Sequence, residues 1–186
     1  TITALPGTLA WCGFCAALLA LALIDWDSIL LPDSLTQPLL WAGLIGSALG
    51  WTGTALPDAL WGAVAGYLSL WSLYWAFKLV TGKEGMGHGD FKLLAALGAW
   101  LGWTALPALL LLASVLGAVV GLFLLHRQRK ENASRQKPLE PVQDDLFYIP
   151  FGPFLAIAGG VLMMLGPQAL WHATGLNLSD LGFMLK

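Results

Sequence analysis

The sequence predicts an all-α polytopic membrane protein with about six transmembrane helices. Hydrophobic residues make up 58% of the 186 residues, and charged residues make up only 11%. Soluble domains usually carry roughly 25% charged residues, so this chain has too few polar side chains to cover a surface that faces water. The mean hydropathy of +0.73 also excludes intrinsic disorder, which needs low hydrophobicity and high charge. Because a helix that crosses a bilayer needs about 20 apolar residues, about six crossings with short loops fit this length.

Six apolar runs predict one membrane-embedded domain over residues 1–186. The first run stays apolar until Asp25, and the second follows a polar segment and carries Pro38 near its start. Gly53 and Pro57 break the chain before the third run. The predicted spans are about 8–24, 35–51, 59–80, 91–103, 108–125 and 146–165.

Two polar stretches predict cytoplasmic loops, 81–90 and 126–145. The glycine-rich stretch 81–90 precedes the fourth run, which is short for a full span. A tight turn at 104–107 leads into a leucine-rich fifth run with no ionisable residue. The polar segment 126–145 precedes the sixth run, whose start at 149–153 contains two prolines and a glycine that distort the helix.

The basic residues predict which side of the membrane each loop occupies. With six spans, eight of the nine Lys and Arg residues fall in or beside loops on one side, and only Lys186 falls on the other. Cytoplasmic loops carry an excess of Lys and Arg, so this side is cytoplasmic and both termini lie outside. Asp25 and Asp90 then lie at cytoplasmic ends of spans. The eight residues are Lys78, Lys83, Lys92, Arg127, Arg129, Lys130, Arg135 and Lys137.

Composition also limits the partners and cofactors. The net charge of −2 and the pI near 5.8 do not suggest nucleic-acid binding, which normally shows a basic patch. Cys12 and Cys15 lie inside the first span, and two thiols fall short of the four ligands of a structural zinc site. They are interpreted as small apolar-like residues. No metal and no other cofactor is predicted, and the oligomeric state is left open.

Tryptophans and glycines predict how the helices meet lipid and one another. Ten tryptophans lie mainly near predicted span ends, Trp100 and Trp103 among them, where an interfacial aromatic belt is expected. Glycines that recur at helical spacing, such as Gly43, Gly62 and Gly66, are expected to let helices pack closely.

Acidic side chains at membrane depth are costly and tend to be functional, so each one needs an explanation. Asp33 and Asp58 precede apolar runs, where a carboxylate can cap a helix N-terminus and complement its dipole. Asp25 and Asp90 are different. Asp25 follows an unbroken apolar run, and Asp90 ends a glycine-rich stretch and opens the fourth run.

The glycines before Asp90 suggest that another chain can come close to its carboxylate. Gly85, Gly87 and Gly89 remove side-chain bulk and allow positive φ angles. Two carboxylates that share a proton can act as general base and general acid on a water molecule. The residues alone therefore suggest a paired-aspartate site, or else a helix-capping turn at Asp90.

Three stretches carry a more specific pattern. Residues 85–102 read GMGHGDFKLLAALGAWLG, residues 24–36 read IDWDSILLPDSLT, and residues 149–159 read IPFGPFLAIAG. Along the chain, in the expected order, they closely resemble segments of the type IV prepilin peptidases, the bacterial members of the GxGD aspartic proteases. The matches cover most of the chain, and they imply the GxGD protease fold.

The resemblance assigns catalytic roles to two positions. Asp25 matches the first catalytic aspartate, which lies seven residues before the proline of a Pro-Asn or Pro-Asp pair, here Pro32. Asp90 matches the aspartate of the GxGD motif. Asp27 falls at a position that the family fills variably, so Asp25 is preferred over it.

The resemblance also implies a substrate-binding or active-site loop that contains Gly85, Gly87, Gly89 and Lys92. Lys92 matches a basic position after the motif and either interacts with the site or marks the cytoplasmic interface. His88 occupies the variable position of the motif and is interpreted as a surface histidine rather than a catalytic one.

A family member of this kind is a membrane aspartic endopeptidase of the bacterial inner membrane. The resemblance implies that it removes the leader from type IV prepilins or from type II secretion pseudopilins, cutting after a glycine at the cytoplasmic face. Larger members also carry an N-terminal segment with paired CxxC motifs that is associated with N-methylation. Nothing similar precedes Thr8, so this is expected to be either a short peptidase-only form or a chain from which the front part is absent. Methyltransferase activity is therefore in doubt, and S-adenosylmethionine and zinc are not assigned.

Three other functions stay open at this point. An intramembrane GxGD protease would use the same dyad to cut within a helix, although such families place Tyr-Asp where this chain has Ile24 and Asp25. A small proton-coupled transporter could use membrane carboxylates as a relay, but the two halves show no repeat. A catalytically dead assembly factor would not need both aspartates.

Overall fold

A computed structural model describes residues 4–28, 30–82, 87–135 and 151–165 of the chain. Within these ranges the regular secondary structure consists of six α-helices and one 3₁₀ turn, Trp103–Ala105. The number of helices equals the number of predicted apolar runs. The helices are α1 (Ala4–Ser28), α2 (Asp33–Ala48), α3 (Leu56–Thr81), α4 (His88–Leu101), α5 (Leu106–Arg135) and α6 (Gly152–Leu165).

Two segments of the described chain are helical, long and apolar enough to cross a membrane. They are Leu5–Ser28 in α1 and Trp103–Leu124, most of which belongs to α5. Both helices carry large exposed leucines, with Leu9 and Leu122 each 70% exposed. Such an apolar surface is stable in contact with lipid and unfavourable in contact with water. The described part of the chain is therefore all-helical, and the protein is membrane-associated. The count of six spans stays a prediction.

Helix α4 lies at the centre of the helical packing. Eleven of its 14 residues are buried. It packs mainly against α3 and α2 and also contacts α6, which in turn packs against α1 and α5. Because neighbouring helices cover α4 on several sides, it has little contact with lipid and does not need the length of a lipid-exposed span.

The expected close packing at glycines is confirmed between α3 and α4. A Cβ atom at Gly62 would overlap the backbone of Gly98, and one at Gly66 would lie 2.8 Å from the carbonyl oxygen of Leu94. The buried side of α3 is otherwise built mainly from small side chains, which is what a close approach of two backbones requires. Its members are Ala59, Gly62, Ala63, Gly66, Leu70 and Tyr74.

The interfacial position expected for Trp100 is wrong. Its side chain is 2% exposed, and its indole Nε1 donates a hydrogen bond of 2.8 Å to the carbonyl oxygen of Leu39. Gly43 leaves room for the ring, since a Cβ there would lie 2.6 Å from Trp100 Cδ1. Trp100 lies near a helix end, as expected, but that helix is the central one, so its end faces protein rather than lipid.

Helix α1 and the first predicted cytoplasmic loop differ from the expected boundaries. The helix continues past Asp25 to Ser28, because one acidic side chain does not end a helix. The chain leaves the helical conformation before Pro32, since a proline disfavours that conformation for the residue that precedes it. The loop expected at 81–90 is shorter, since α3 ends at Thr81 and α4 begins at His88. Asp90 therefore lies in the first turn of a helix.

The region around α5 also differs. The chain turns at Gly102, whose φ is +84°, and α5 begins at Leu106, so the turn expected at 104–107 comes earlier. Helix α5 then continues to Arg135, into the loop expected at 126–145. Residues 126–135 contain no Gly or Pro and several good helix formers, so the helix outlasts its apolar part. Residues 136–150 and 166–186 lie outside the described residues.

Candidate active site

The two aspartates singled out by the sequence come from different helices and lie near one another in the structure. Asp25 lies in the last turn of α1 and is 4% exposed, and Asp90 lies in the first turn of α4 and is 6% exposed. Their carboxyl groups are close enough for their charges to influence each other. Buried carboxylates are rare without a partner, so two of them in one place form a candidate active site.

Glycines and one leucine form the walls beside these carboxylates. A Cβ at Gly152, the first residue of α6, would lie 2.5 Å from Asp25 Oδ2. A Cβ at Gly89 would lie 2.6 Å from the Cβ of Leu31. The same leucine borders Gly152, where its Cδ1 would be 3.1 Å from an added Cβ. The site is thus assembled from α1, the segment before α2, α4 and α6.

Gly152 and Leu31 were not predicted as site residues. The signal for Gly152 was present in the sequence, since it lies in the stretch 149–159 that resembles the start of the family's last span. What the sequence could not indicate is that α6 begins against Asp25. Leu31 lies between Asp25 and Pro32 in another matching stretch, and its side chain carries no chemistry that would mark it.

Lys92 pairs with Asp33 in the structure. Its Nζ lies 2.6 Å from each carboxylate oxygen of Asp33, and both side chains are at least partly exposed. The cap expected from Asp33 is wrong, because α2 begins without a side-chain capping hydrogen bond. Asp58 likewise makes no cap for α3 and instead accepts a hydrogen bond of 3.2 Å from Trp103 Nε1.

The remaining candidates lie outside the carboxylate pair. His88 is exposed, as expected, and its ring lies against Tyr74 and Phe91 at centroid distances of 5.2 and 5.5 Å. Asp27 is exposed on α1. Gly87 immediately precedes α4, whereas Gly85 lies outside the described residues.

The described residues offer no group of three or more His, Cys, Asp or Glu side chains that could hold a metal ion. The chemistry that this site can perform is that of its two carboxylates. One can accept a proton from water while the other donates a proton, which is the requirement for aspartic hydrolysis.

Comparison with known proteins identifies the family of this chain. Residues 12–122, which include Asp25 and Asp90, match the model of the type IV leader peptidase family. The chain belongs to this family. The resemblance found in the sequence is thereby confirmed.

Curated relatives support the same assignment. The chain is 57% identical over 151 residues to a prepilin leader peptidase/N-methyltransferase of Stutzerimonas stutzeri, covering 81% of this chain and 47% of that protein. It is 54% identical over 169 residues to the protein of that name from Aeromonas hydrophila, covering 90% and 53%. It is 56% identical over 151 residues to the prepilin leader peptidase/N-methyltransferase of Pseudomonas aeruginosa, covering 81% of this chain and 47% of that protein.

These type IV leader peptidase relatives are longer than the chain. The chain spans about half the length of the curated relatives that it matches. No solved structure matches it at a significant level. The family match favours neither the intramembrane protease that cuts within helices nor the proton-coupled transporter.

Proposed function

We propose that this chain is the membrane aspartic peptidase domain of a prepilin leader peptidase. Its substrate is a type IV prepilin or a type II secretion pseudopilin, from which it removes the N-terminal leader. The observation that supports this proposal is that Asp25 and Asp90 are both buried and lie near one another in a chain of the type IV leader peptidase family. Curated relatives named for the same cleavage support the substrate class.

The proposed reaction uses one water molecule and the two aspartates. One carboxylate is ionised and takes a proton from the water as the oxygen attacks the carbonyl carbon of the scissile peptide bond. The other is protonated and hydrogen-bonds to the carbonyl oxygen. When the C–N bond breaks, the leaving amine takes up a proton from the dyad. No covalent acyl intermediate forms, because water rather than a side chain attacks.

The two carboxylates divide these roles because like charges in one buried site do not both stay ionised. The proton belongs to the pair, so a substrate that approaches the dyad alters both groups together. Gly87 precedes Asp90 without a side chain, which favours the approach of a peptide backbone, whereas the space beside Gly89 is filled by Leu31.

The proposed location is the bacterial inner membrane, with the active site facing the cytoplasm. Eight of nine basic residues cluster in or beside the segments predicted on that side. Lys92 is one of these and follows Asp90 by two positions. A leader that has not crossed the membrane would reach the aspartates from this side. Six spans and the GxGD protease fold belong to the same proposal.

The test is cleavage of a tagged prepilin in membranes that contain this chain. Wild type, Asp25→Asn and Asp90→Asn are compared by gel shift, with equal amounts of membrane-inserted protein. We expect the leader to be lost only with the wild type, because each substitution keeps the shape of the side chain and removes its acid–base function. Cleavage by either variant at the wild-type rate would remove that residue from the dyad. No cleavage by the wild type would contradict the proposed function of this chain.

A further inference from the structure

Gly152 occupies a position that leaves no room for a side chain. It is the first residue of α6, and a Cβ built on it would lie 2.5 Å from Asp25 Oδ2 and 3.0 Å from Asp25 Cγ. Real Cβ atoms do not approach other heavy atoms that closely. The carboxylate of Asp25 therefore fills the volume that any other residue at this position would need.

A second observation concerns the carboxylate itself. Asp25 is 4% exposed, and its Oδ2 accepts no hydrogen bond from the residues that the structure describes. Gly152, the first residue of α6, lies directly beside this carboxylate. The first N–H groups of a helix have no partners within the helix, and they carry the positive end of its dipole. The buried carboxyl group is thus placed against the start of the 14-residue helix α6.

We propose that Gly152 is a positioning residue that seats the Asp25 carboxylate against the first turn of α6 and keeps it turned toward Asp90. Gly152 acts because it has no side chain, since a side chain there would push the Asp25 carboxylate away from Asp90. This proposal also gives a role to the distorted start of the sixth run, which brings a helix end to the site. Its kinetic test rests on the proposed function, whereas its stability test does not.

The simplest competing explanation is that Gly152 makes room for Leu31. A Cβ at Gly152 would lie 3.1 Å from Leu31 Cδ1, which is a tight contact. That atom is the end of a flexible side chain and can move, whereas the Asp25 carboxylate is enclosed. The two explanations predict different rescues of Gly152→Ala. Removing the Leu31 side chain should help if Leu31 is the obstacle, and removing the Asp25 carboxylate should help if Asp25 is.

The kinetic experiment compares Gly152→Ala with Gly160→Ala, a matched change in the same helix. A Cβ at Gly160 meets nothing within 4 Å. We expect Gly152→Ala to lower kcat for prepilin cleavage by about 100-fold with KM changed less than about 3-fold, because the catalytic group is displaced and the peptide-binding surface is not. Gly160→Ala should keep wild-type kcat. Adding Leu31→Ala to Gly152→Ala should not restore kcat. Recovery with Leu31→Ala, or wild-type kcat in Gly152→Ala, would overturn the proposal.

The stability experiment needs no activity. In purified protein in detergent, Gly152→Ala should lower Tm by about 3–8 °C in the wild-type background. In an Asp25→Ala background the same change should leave Tm within about 1 °C, because the carboxylate that blocks the new methyl group is gone. An equal drop in both backgrounds would overturn the proposal. If the wild type fails to cleave prepilin, the proposed function is lost, and this experiment still decides the role of Gly152.

Discussion

Gly62 of α3 and Gly98 of α4 meet backbone to backbone. A Cβ atom added to either glycine would overlap the carbonyl oxygen of the other. This contact brings the two helices together along a surface of small residues, and α4 carries Asp90 in its first turn. The position of Asp90 therefore depends on this glycine pair, although Gly98 lies more than two helical turns away from Asp90 along α4.

A side chain at Gly62 should push α3 and α4 apart. We expect Gly62→Ala to destabilise the protein by about 1–3 kcal/mol, the usual effect of overpacking, and to lower Tm by about 3–10 °C. Thermal unfolding in detergent measures this shift. Gly13→Ala is the matched control in α1, because a Cβ there meets nothing within 4 Å. Equal Tm values for the two variants would show that the close approach of α3 and α4 does not limit stability.

Asp27 should not replace Asp25 in the reaction. The two residues are two positions apart in α1, so their side chains point about 200° apart around the helix, and Asp27 is exposed whereas Asp25 is buried. We expect Asp27→Asn to keep prepilin cleavage within about 3-fold of wild type, and Asp25→Asn to lose more than about 100-fold. Initial rates at saturating substrate give this comparison. A loss in Asp27→Asn as large as that in Asp25→Asn would mean that the wrong aspartate was assigned.

The ion pair between Lys92 and Asp33 should act as one unit. The ion pair is partly exposed. Its coupling energy in the free energy of unfolding should therefore be about 0.2–1 kcal/mol, measured in a double-mutant cycle of Lys92→Gln and Asp33→Asn. We expect each single variant to lower cleavage by less than about 5-fold, and the double variant to be no worse than either. If Lys92 instead contacts the substrate, Lys92→Gln will lose activity that Asp33→Asn retains.

The general class of this protein could be predicted from sequence because it depends on local properties. Apolar composition indicated a helical membrane protein, and the order of apolar runs matched the order of the helices described. Helix ends were less accurate where hydropathy was used as the boundary, since a helix can continue into water, as α5 does at residues 126–135. Hydropathy reports where lipid ends, whereas helix propensity and proline decide where a helix ends.

The motifs singled out Asp25 and Asp90, but they did not show how the two residues are held. Seven-residue spacings and glycine patterns are visible along the chain, and they sufficed to identify the family. The role of Gly152 is not visible in this way, because its close approach to Asp25 joins the last described helix to the first. The residues that a glycine contacts are set only when the helices pack, so they cannot be read from the sequence.

What the sequence by itself determined is the all-helical membrane class, the family, and the two candidate carboxylates. Only the tertiary structure decided that these carboxylates lie near one another, that Trp100 lies in the core instead of at the interface, and that Lys92 pairs with Asp33. The physical reason is the range of the interactions. Composition and helical periodicity act over a few residues, whereas each of these contacts joins segments that are distant in the chain and is made only when the helices pack.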